Sequence, residues 1–210
     1  MLSVFDFLYL SFYQYHLYHY QEDFLNLLLH NLPKYYFKDD SITTGVDFTK
    51  GKWLLDRIQT SKENEDKLTK MTTDYFGDKL NNRFNTVFSE KVLIAQKNNF
   101  PLTSEELKQI KIGTNYDYFI QIKSGSLKNE LGSIDTTPAR FNNNLTNEAS
   151  VQLIIYDLNT QQVIYNKNTF GVTGNPEKNS NDVTLSKSSK SLLYGCLKKI
   201  FKDLDKKSLL

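Results

Sequence analysis

The sequence is poor in the residues that common enzyme mechanisms use. Its 210 residues include one cysteine, Cys196, and three histidines, none of which follows residue 30. One cysteine excludes a disulfide within the chain, and no histidine beyond residue 30 is present to activate its thiol. We therefore interpret Cys196 as a small buried hydrophobic residue on the apolar face of a helix.

Motifs for nucleotide, metal and nucleophile chemistry are also missing. The chain has no G-x-S-x-G elbow, no H-E-x-x-H pair and no cysteine cluster. In the nearest approach to a phosphate-binding loop, residues 45–53, five residues instead of four separate the glycines, and Trp53 occupies the place of the magnesium-binding hydroxyl. His16 and His19 have an H-x-x-H spacing without further ligands nearby. The sequence thus predicts no catalytic, cofactor-binding or metal-binding residue.

Net charge is small and unevenly placed. The whole chain carries +2, which is too little to predict a nucleic-acid partner. Residues 1–33 hold Asp6, Glu22 and Asp23 with no Lys or Arg, giving −3, so residues 34–210 carry +5. The pattern is a mildly basic domain behind an acidic leader.

The leader is also rich in aromatic residues, since residues 1–37 contain seven of the 13 tyrosines. It has neither the features of a signal peptide nor a lipid-acceptor cysteine. Two explanations stay open. Residues 1–40 lie upstream of the true start or replace a signal lost to a frameshift, or they form a partly helical extension that packs on the domain or on a membrane surface. We divide the chain into an N-terminal extension, 1–45, and a single α/β domain, 46–210.

The first half of the domain alternates strands and helices. Residues 51–60, GKWLLDRIQT, predict a strand, and SKENEDK then opens a helix capped by Ser61 or Asn64. The apolar stripe of this helix continues at steps of three and four as far as Val87. The run KVLIAQK, 91–97, predicts a second strand.

A short helix over residues 104–111 has the clearest local signal. Thr103 and Glu106 have the spacing of a capping box, in which each side chain bonds a backbone N–H near the other. Gly113 suits the left-handed position that follows a helix.

The second half is richer in strands. Residues 115–125 predict a strand, and residues 149–171 predict a hairpin around NTQQ. The first hairpin strand is apolar on both faces, which is typical of an interior strand. Polar loops are predicted over 124–148 and 171–183, and a helix over 185–206. The order β-α-β-α-β-β-β-α predicts an α/β fold, with a mixed sheet of about five strands flanked by helices.

The last helix carries a group of lysines near its C-terminal end, where the helix dipole favours cations. They are Lys198, Lys199, Lys202, Lys206 and Lys207. We interpret them as a solvated helix face, with phosphates or anionic lipid as the alternative contact.

Three stretches resemble small envelope lipoproteins of Bacteroidota and, more distantly, the α/β domain of curli-secretion lipoproteins, penicillin-binding-protein activators and the TolB N-terminal domain. They are KGKWLLDRI (50–58), IGTNYDYFIQIKSG (112–125) and VQLIIYDLNTQQVIYNKNTFG (151–171). The resemblance spans about residues 46–206. It implies an exported, lipid-anchored protein that contacts other envelope proteins.

We therefore predict a non-enzymatic module of the cell envelope or periplasm that binds another envelope protein through its loops 124–148 and 171–183. No cofactor and no nucleic-acid partner are predicted, and no small-molecule ligand is assigned. The alternatives are a membrane-surface protein held by the N-terminal segment and a small enzyme with carboxylate chemistry. Against the enzyme, we interpret Asp117 and Asp157 as turn residues at strand ends. Without a recognisable signal, the cytoplasm is the alternative compartment.

Overall fold

The computed structural model describes residues 32–38, 45–90, 100–128, 147–173 and 188–209. Its strands are β1 (Lys34–Phe37), β2 (Val46–Asp47), β3 (Trp53–Leu55), β4 (Phe84–Thr86), β5 (Tyr118–Lys128), β6 (Glu148–Asp157), β7 (Gln162–Val172) and β8 (Ser208–Leu209). Its helices are α1 (Lys62–Leu80), α2 (Ser104–Thr114) and α3 (Ser189–Lys207).

The predicted mixed sheet is confirmed, with six strands in place of about five. Their order is β1-β7-β6-β5-β3-β4. Strand β3 runs parallel to both β4 and β5, while β5, β6, β7 and β1 pair antiparallel in turn. The additional edge strand β1 comes from the segment assigned to the N-terminal extension. Strands β2 and β8 form a separate parallel pair.

The predicted hairpin is confirmed as β6 and β7. Strand β6 lies between β5 and β7, and its residues Leu153, Ile154, Ile155 and Tyr156 are all fully buried. Because successive side chains of a strand point to opposite faces, four buried neighbours require cover on both sides of the sheet. The hairpin supplies the central strands of the sheet, as its two apolar faces predicted.

Helix α1 ends earlier than its apolar stripe predicted. It stops at Leu80, and Asn81 takes a positive φ of 51°, which asparagine tolerates better than most residues. A 3₁₀ turn, Asn81–Arg83, leads into β4. Phe84 therefore belongs to a strand and still packs on the helix, with its ring centroid 5.9 Å from that of Phe76. The prediction that Val87 lies on this helix was wrong, because the spacing of apolar residues does not indicate where the helix ends.

The second strand was predicted over residues 91–97, which lie outside the described residues. The strand that the structure describes between α1 and α2 is β4. Two predicted polar loops also fall largely outside the described residues. Strand β5 extends to Lys128 and β6 begins at Glu148, so each enters the predicted loop 124–148 from one side.

The capping box of α2 is confirmed. The backbone N–H of Thr103 donates to Glu106 Oε2 at 2.8 Å, and the Glu106 N–H donates to Thr103 Oγ1 at 3.4 Å. The predicted helix end was wrong, because Gly113 lies inside the helix. Asn115 supplies the left-handed cap instead, with φ 57°.

The sheet separates two apolar clusters. Helices α1 and α3 pack on one face in a cluster that includes Trp53, Phe76, Tyr165 and Ile200. Helix α2 covers part of the other face through Leu107 and neighbouring residues. Cys196 lies in the first cluster with no exposed surface, which confirms its interpretation as a buried hydrophobic residue. Burial also raises the pKa of its thiol to about 12.

Candidate binding groove

A groove of about 830 Å³ lies between the edge strand β1 and helix α3. We call it the lysine groove. It is lined by Tyr35, Phe37, Ser191, Tyr194, Gly195, Lys198, Lys199, Lys202, Asp203 and Lys206. Four of these side chains are cationic and one is anionic, and the aromatic rings add apolar surface between them.

Tyr35 of β1 fits into a notch formed by two glycines. A Cβ atom on Gly195 of α3 would lie 2.0 Å from the Tyr35 hydroxyl oxygen and 2.2 Å from Cζ. A Cβ atom on Gly171 of β7 would lie 3.0 Å from Tyr35 Cε1. The absence of a side chain at both positions is therefore what allows the ring to lie against the helix. Burial raises the pKa of Tyr35, with a smaller contribution from Cys196.

Two lysines lie over the ring of Phe37. The ammonium of Lys199 is 5.1 Å from the ring centroid and that of Lys167 is 5.4 Å. Cations at these distances are attracted to the face of an aromatic ring. Lys199 also donates a hydrogen bond to the backbone carbonyl of Tyr35. Helix α3 is thus tied to β1 through both its glycine and this lysine.

The aspartate of the groove is engaged with the core. Asp203 Oδ2 accepts a hydrogen bond of 3.0 Å from the Tyr165 hydroxyl, and its Oδ1 lies 3.0 Å from the ammonium of Lys207. Burial, followed by the neighbouring Asp203, raises the pKa of Tyr165 well above its ordinary value. This carboxylate is held in a structural network and is not positioned as a free proton acceptor.

Lys198, Lys202 and Lys206 are exposed, and each is four residues from the next along α3. Within the described parts of the chain, none of the three has a hydrogen bond or an ion pair. These three are solvated, as predicted from the sequence. Of the other two lysines in that prediction, Lys199 is partly buried and bonds the Tyr35 carbonyl, and Lys207 pairs with Asp203. The position of the three exposed lysines above an aromatic-lined groove was not predicted.

The outer edge of β1 presents backbone groups to the groove. The N–H of Lys38 donates to the carbonyl of Asn168 on β7 at 2.9 Å. Hydrogen-bonded and non-bonded residue pairs alternate along an antiparallel ladder. The neighbouring pair Phe37–Thr169 is therefore a non-bonded pair, and the N–H and C=O of Phe37 point away from β7.

The carboxylates considered from the sequence lie elsewhere. Asp157 accepts bonds from the N–H groups of Asn159 and Thr160 in the hairpin turn. Burial acts to raise the pKa of Asp117, but hydrogen bonds from Lys111 and from the backbone N–H of Lys52 outweigh it and lower that pKa. Neither lines the groove.

Asp56 is a partly buried carboxylate at the end of β3. Burial raises its pKa, while hydrogen bonds from Gln121 and from the backbone N–H of Arg57 act in the opposite direction. Gln121 in turn accepts a bond of 3.0 Å from the Tyr156 hydroxyl. The arrangement ties β3, β5 and β6 together and does not face the lysine groove.

Two features are absent from the described ranges of the chain. No group of three or more histidine, cysteine, aspartate or glutamate side chains there could hold a metal ion. None of the helices there is both long enough and apolar enough to cross a membrane.

Sequence reasoning missed Tyr35 and Phe37 because they lie in the aromatic leader. The run of three aromatic residues in KYYFK, with lysines on either side, was the available strand signal, because aromatic residues are enriched in strands. Gly195 was missed too, although a glycine in the interior of a strongly apolar helix often has a packing reason.

Fold and groove together define an α/β protein with a basic, aromatic-lined groove. No family model matches the chain, and no curated protein matches it. The chain is similar, at low sequence identity, to several solved structures. They include a PelC dodecamer from Paraburkholderia phytofirmans, with 10% identity and a TM-score of 0.43 over 85% of this chain and 100% of that chain. The lipoprotein GNA1162 from Neisseria meningitidis matches with 10% identity and a TM-score of 0.41, over 75% of this chain and 99% of that chain. The hypothetical protein CT253 from Chlamydia trachomatis matches with 12% identity and a TM-score of 0.33, over 75% and 95%.

Proposed function

We propose that the protein is a non-enzymatic binding module of the bacterial cell envelope that acts by contact with another protein. The lysine groove is the observation that carries this proposal. It combines exposed cations, aromatic surface and a sheet edge with which no other described strand pairs, and these together suit recognition of a polypeptide. The envelope is proposed as the compartment because of the resemblance of residues 50–58, 112–125 and 151–171 to envelope lipoproteins.

The chemistry of the groove supports binding over catalysis. Its one carboxylate, Asp203, is bonded to Tyr165 and Lys207, and Lys199 is occupied by the Tyr35 carbonyl. A general base must be within hydrogen-bond reach of the proton it removes, and it must be able to accept that proton. Asp56, a partly buried carboxylate that an enzyme could use, lies outside the groove. A membrane-surface protein would use the three exposed lysines on anionic lipid.

The proposal is tested by photo-crosslinking in the native cells. A photoreactive amino acid is placed at Ser191 or Lys202 in the groove, and in a matched strain at Lys108, which is exposed on α2 at a distance from it. We expect a discrete protein adduct in the envelope fraction from the groove positions and not from Lys108. Adducts that are absent from every position, or that contain only lipid, would contradict the proposal. Recovery of the protein in the cytoplasmic fraction alone would contradict its compartment.

A further inference from the structure

We infer that the lysine groove binds an extended acidic segment of the partner protein, which pairs with the outer edge of β1 and directs alternate carboxylates at the lysines of α3. This inference rests on the proposed function and names the chemistry of the partner. It commits to a peptide and not to a lipid surface, for reasons of backbone pairing, charge and spacing.

Backbone pairing is the first reason. Strand β1 is the edge of the six-stranded sheet, and the N–H and C=O of Phe37 point outward from it. Exposed sheet edges are templates for an added strand. Lys199 already covers the carbonyl of Tyr35, so the edge that the described residues leave for a partner is centred on Phe37. A lipid headgroup cannot complete a sheet ladder, whereas an extended peptide can.

Charge is the second reason. Lys198, Lys202 and Lys206 line the groove, are exposed, and have no ion pair or hydrogen bond among the residues that the structure describes. The anionic side chain beside them, Asp203, is already paired with Lys207. The groove is therefore complementary to a segment with several carboxylates.

Spacing is the third reason. Tyr35 lies against Gly195, and Phe37 lies under Lys199, so β1 and α3 advance in the same direction. Lysines four residues apart on a helix are about 6 Å apart along its axis. Alternate residues of a strand are about 6.6 Å apart and point to the same side. A strand that pairs beside Phe37 and continues past the end of β1 can thus present a carboxylate to each lysine in turn.

The test uses the full chain and a fluorescent eight-residue peptide in which glutamate and threonine alternate. Binding is followed by fluorescence anisotropy at low salt. The groove variant Lys198→Glu/Lys202→Glu/Lys206→Glu is compared with a matched variant, Lys52→Glu/Lys62→Glu/Lys108→Glu. Both change the net charge equally at exposed positions, and circular dichroism verifies that both fold.

We expect the groove variant to bind the peptide at least about tenfold more weakly and the matched variant within roughly twofold of the wild type. A peptide with N-methylated backbone amides should lose a similar factor, because it keeps its charges but cannot complete the ladder. Hydrogen exchange at the Phe37 amide should slow when the unmodified peptide binds.

Three results would overturn the inference: equal weakening in both triple variants, unchanged binding of the N-methylated peptide, or binding to vesicles containing phosphatidylglycerol without binding to the peptide. Failure of this inference can be distinguished from failure of the proposed function. A protein adduct at Ser191 or Lys202 whose cross-linked segment is not acidic would leave the binding module standing and refute only this occupant.

Discussion

Replacing Gly195 by alanine tests the attachment of β1 to the rest of the fold. In an ordinary helix interior, replacing glycine by alanine stabilises the folded protein by about 1 kcal/mol, because alanine has the better helix propensity. Here the new Cβ atom would lie 2.0 Å from the Tyr35 hydroxyl oxygen, 2.2 Å from Cζ and 2.4 Å from Cε1. Three atoms of one rigid ring overlap the methyl group, so a bend at the end of the side chain cannot relieve the contact. The whole ring has to leave its notch.

The size of the effect follows from the burial that is lost. A fully buried tyrosine removes about 200 Å² from water, and Tyr35 is partly buried, so its displacement re-exposes about 100 Å². At about 25 cal/mol per Å² this is about 2.5 kcal/mol. Subtracting about 1 kcal/mol of helix propensity, we expect Gly195→Ala to lower the free energy of unfolding by about 1.5 kcal/mol.

Urea denaturation followed by circular dichroism measures this difference. Two companion variants sharpen the experiment. Gly77→Ala in α1, where no described atom lies within 4 Å of the new Cβ, should stabilise by about 1 kcal/mol. In a Tyr35→Ala background the sign at Gly195 should reverse, because the obstructing ring is gone. A Gly195→Ala protein as stable as the Gly77→Ala protein would refute the notch.

Further predictions concern α2, the α1–α3 contact and the core cysteine. Thr103→Ala should cost about 1 kcal/mol in thermal or urea unfolding, because it removes the capping box; no change would mean that the cap is already satisfied by water. Asp205→Asn should lower the free energy of unfolding by about 1 kcal/mol at pH 7, since Asp205 accepts from Tyr75 and pairs with Lys79. Burial acts to raise the pKa of Asp205, but Lys79 and Tyr75 lower it overall. The stabilisation is therefore present above the pKa of the unfolded state and is lost as the pH falls through the pKa of the folded state. A difference between wild type and variant in urea unfolding that is the same at pH 7 and pH 2 would contradict this. Cys196 should react with a thiol reagent at neutral pH only after unfolding, because it has no exposed surface and a pKa of about 12; rapid labelling of the native protein would contradict its burial.

The elements that could be predicted from the sequence are those specified by nearby residues. The capping box needs only Thr103 and Glu106, and the central hairpin needs only two apolar runs around a short polar turn. The end of α1 depends on the conformation of Asn81, which the apolar stripe does not report. The helix ends there because Asn81 takes a positive φ, although the apolar residues that follow keep the helical spacing.

The lysine groove could not be predicted for a different reason. The residues that line it are far apart in the sequence, since Tyr35 and Phe37 belong to β1 and the lysines belong to α3. The sequence indicated the lysines of α3 as a group, but it placed Tyr35 and Phe37 in the N-terminal extension, outside the domain. Only the pairing of β1 with β7 and the fit of Tyr35 against Gly195 bring them together.

The same long-range pairing has a consequence during synthesis. Strand β1 is among the first described segments to leave the ribosome, but the 19 residues of α3 on which it rests are among the last. Strand β2 likewise pairs with β8, which follows α3 directly. The larger apolar cluster therefore cannot close on the nascent chain until α3 has been synthesised. Contacts of such high sequence separation slow folding, and they leave the earlier segments available to chaperones until α3 emerges.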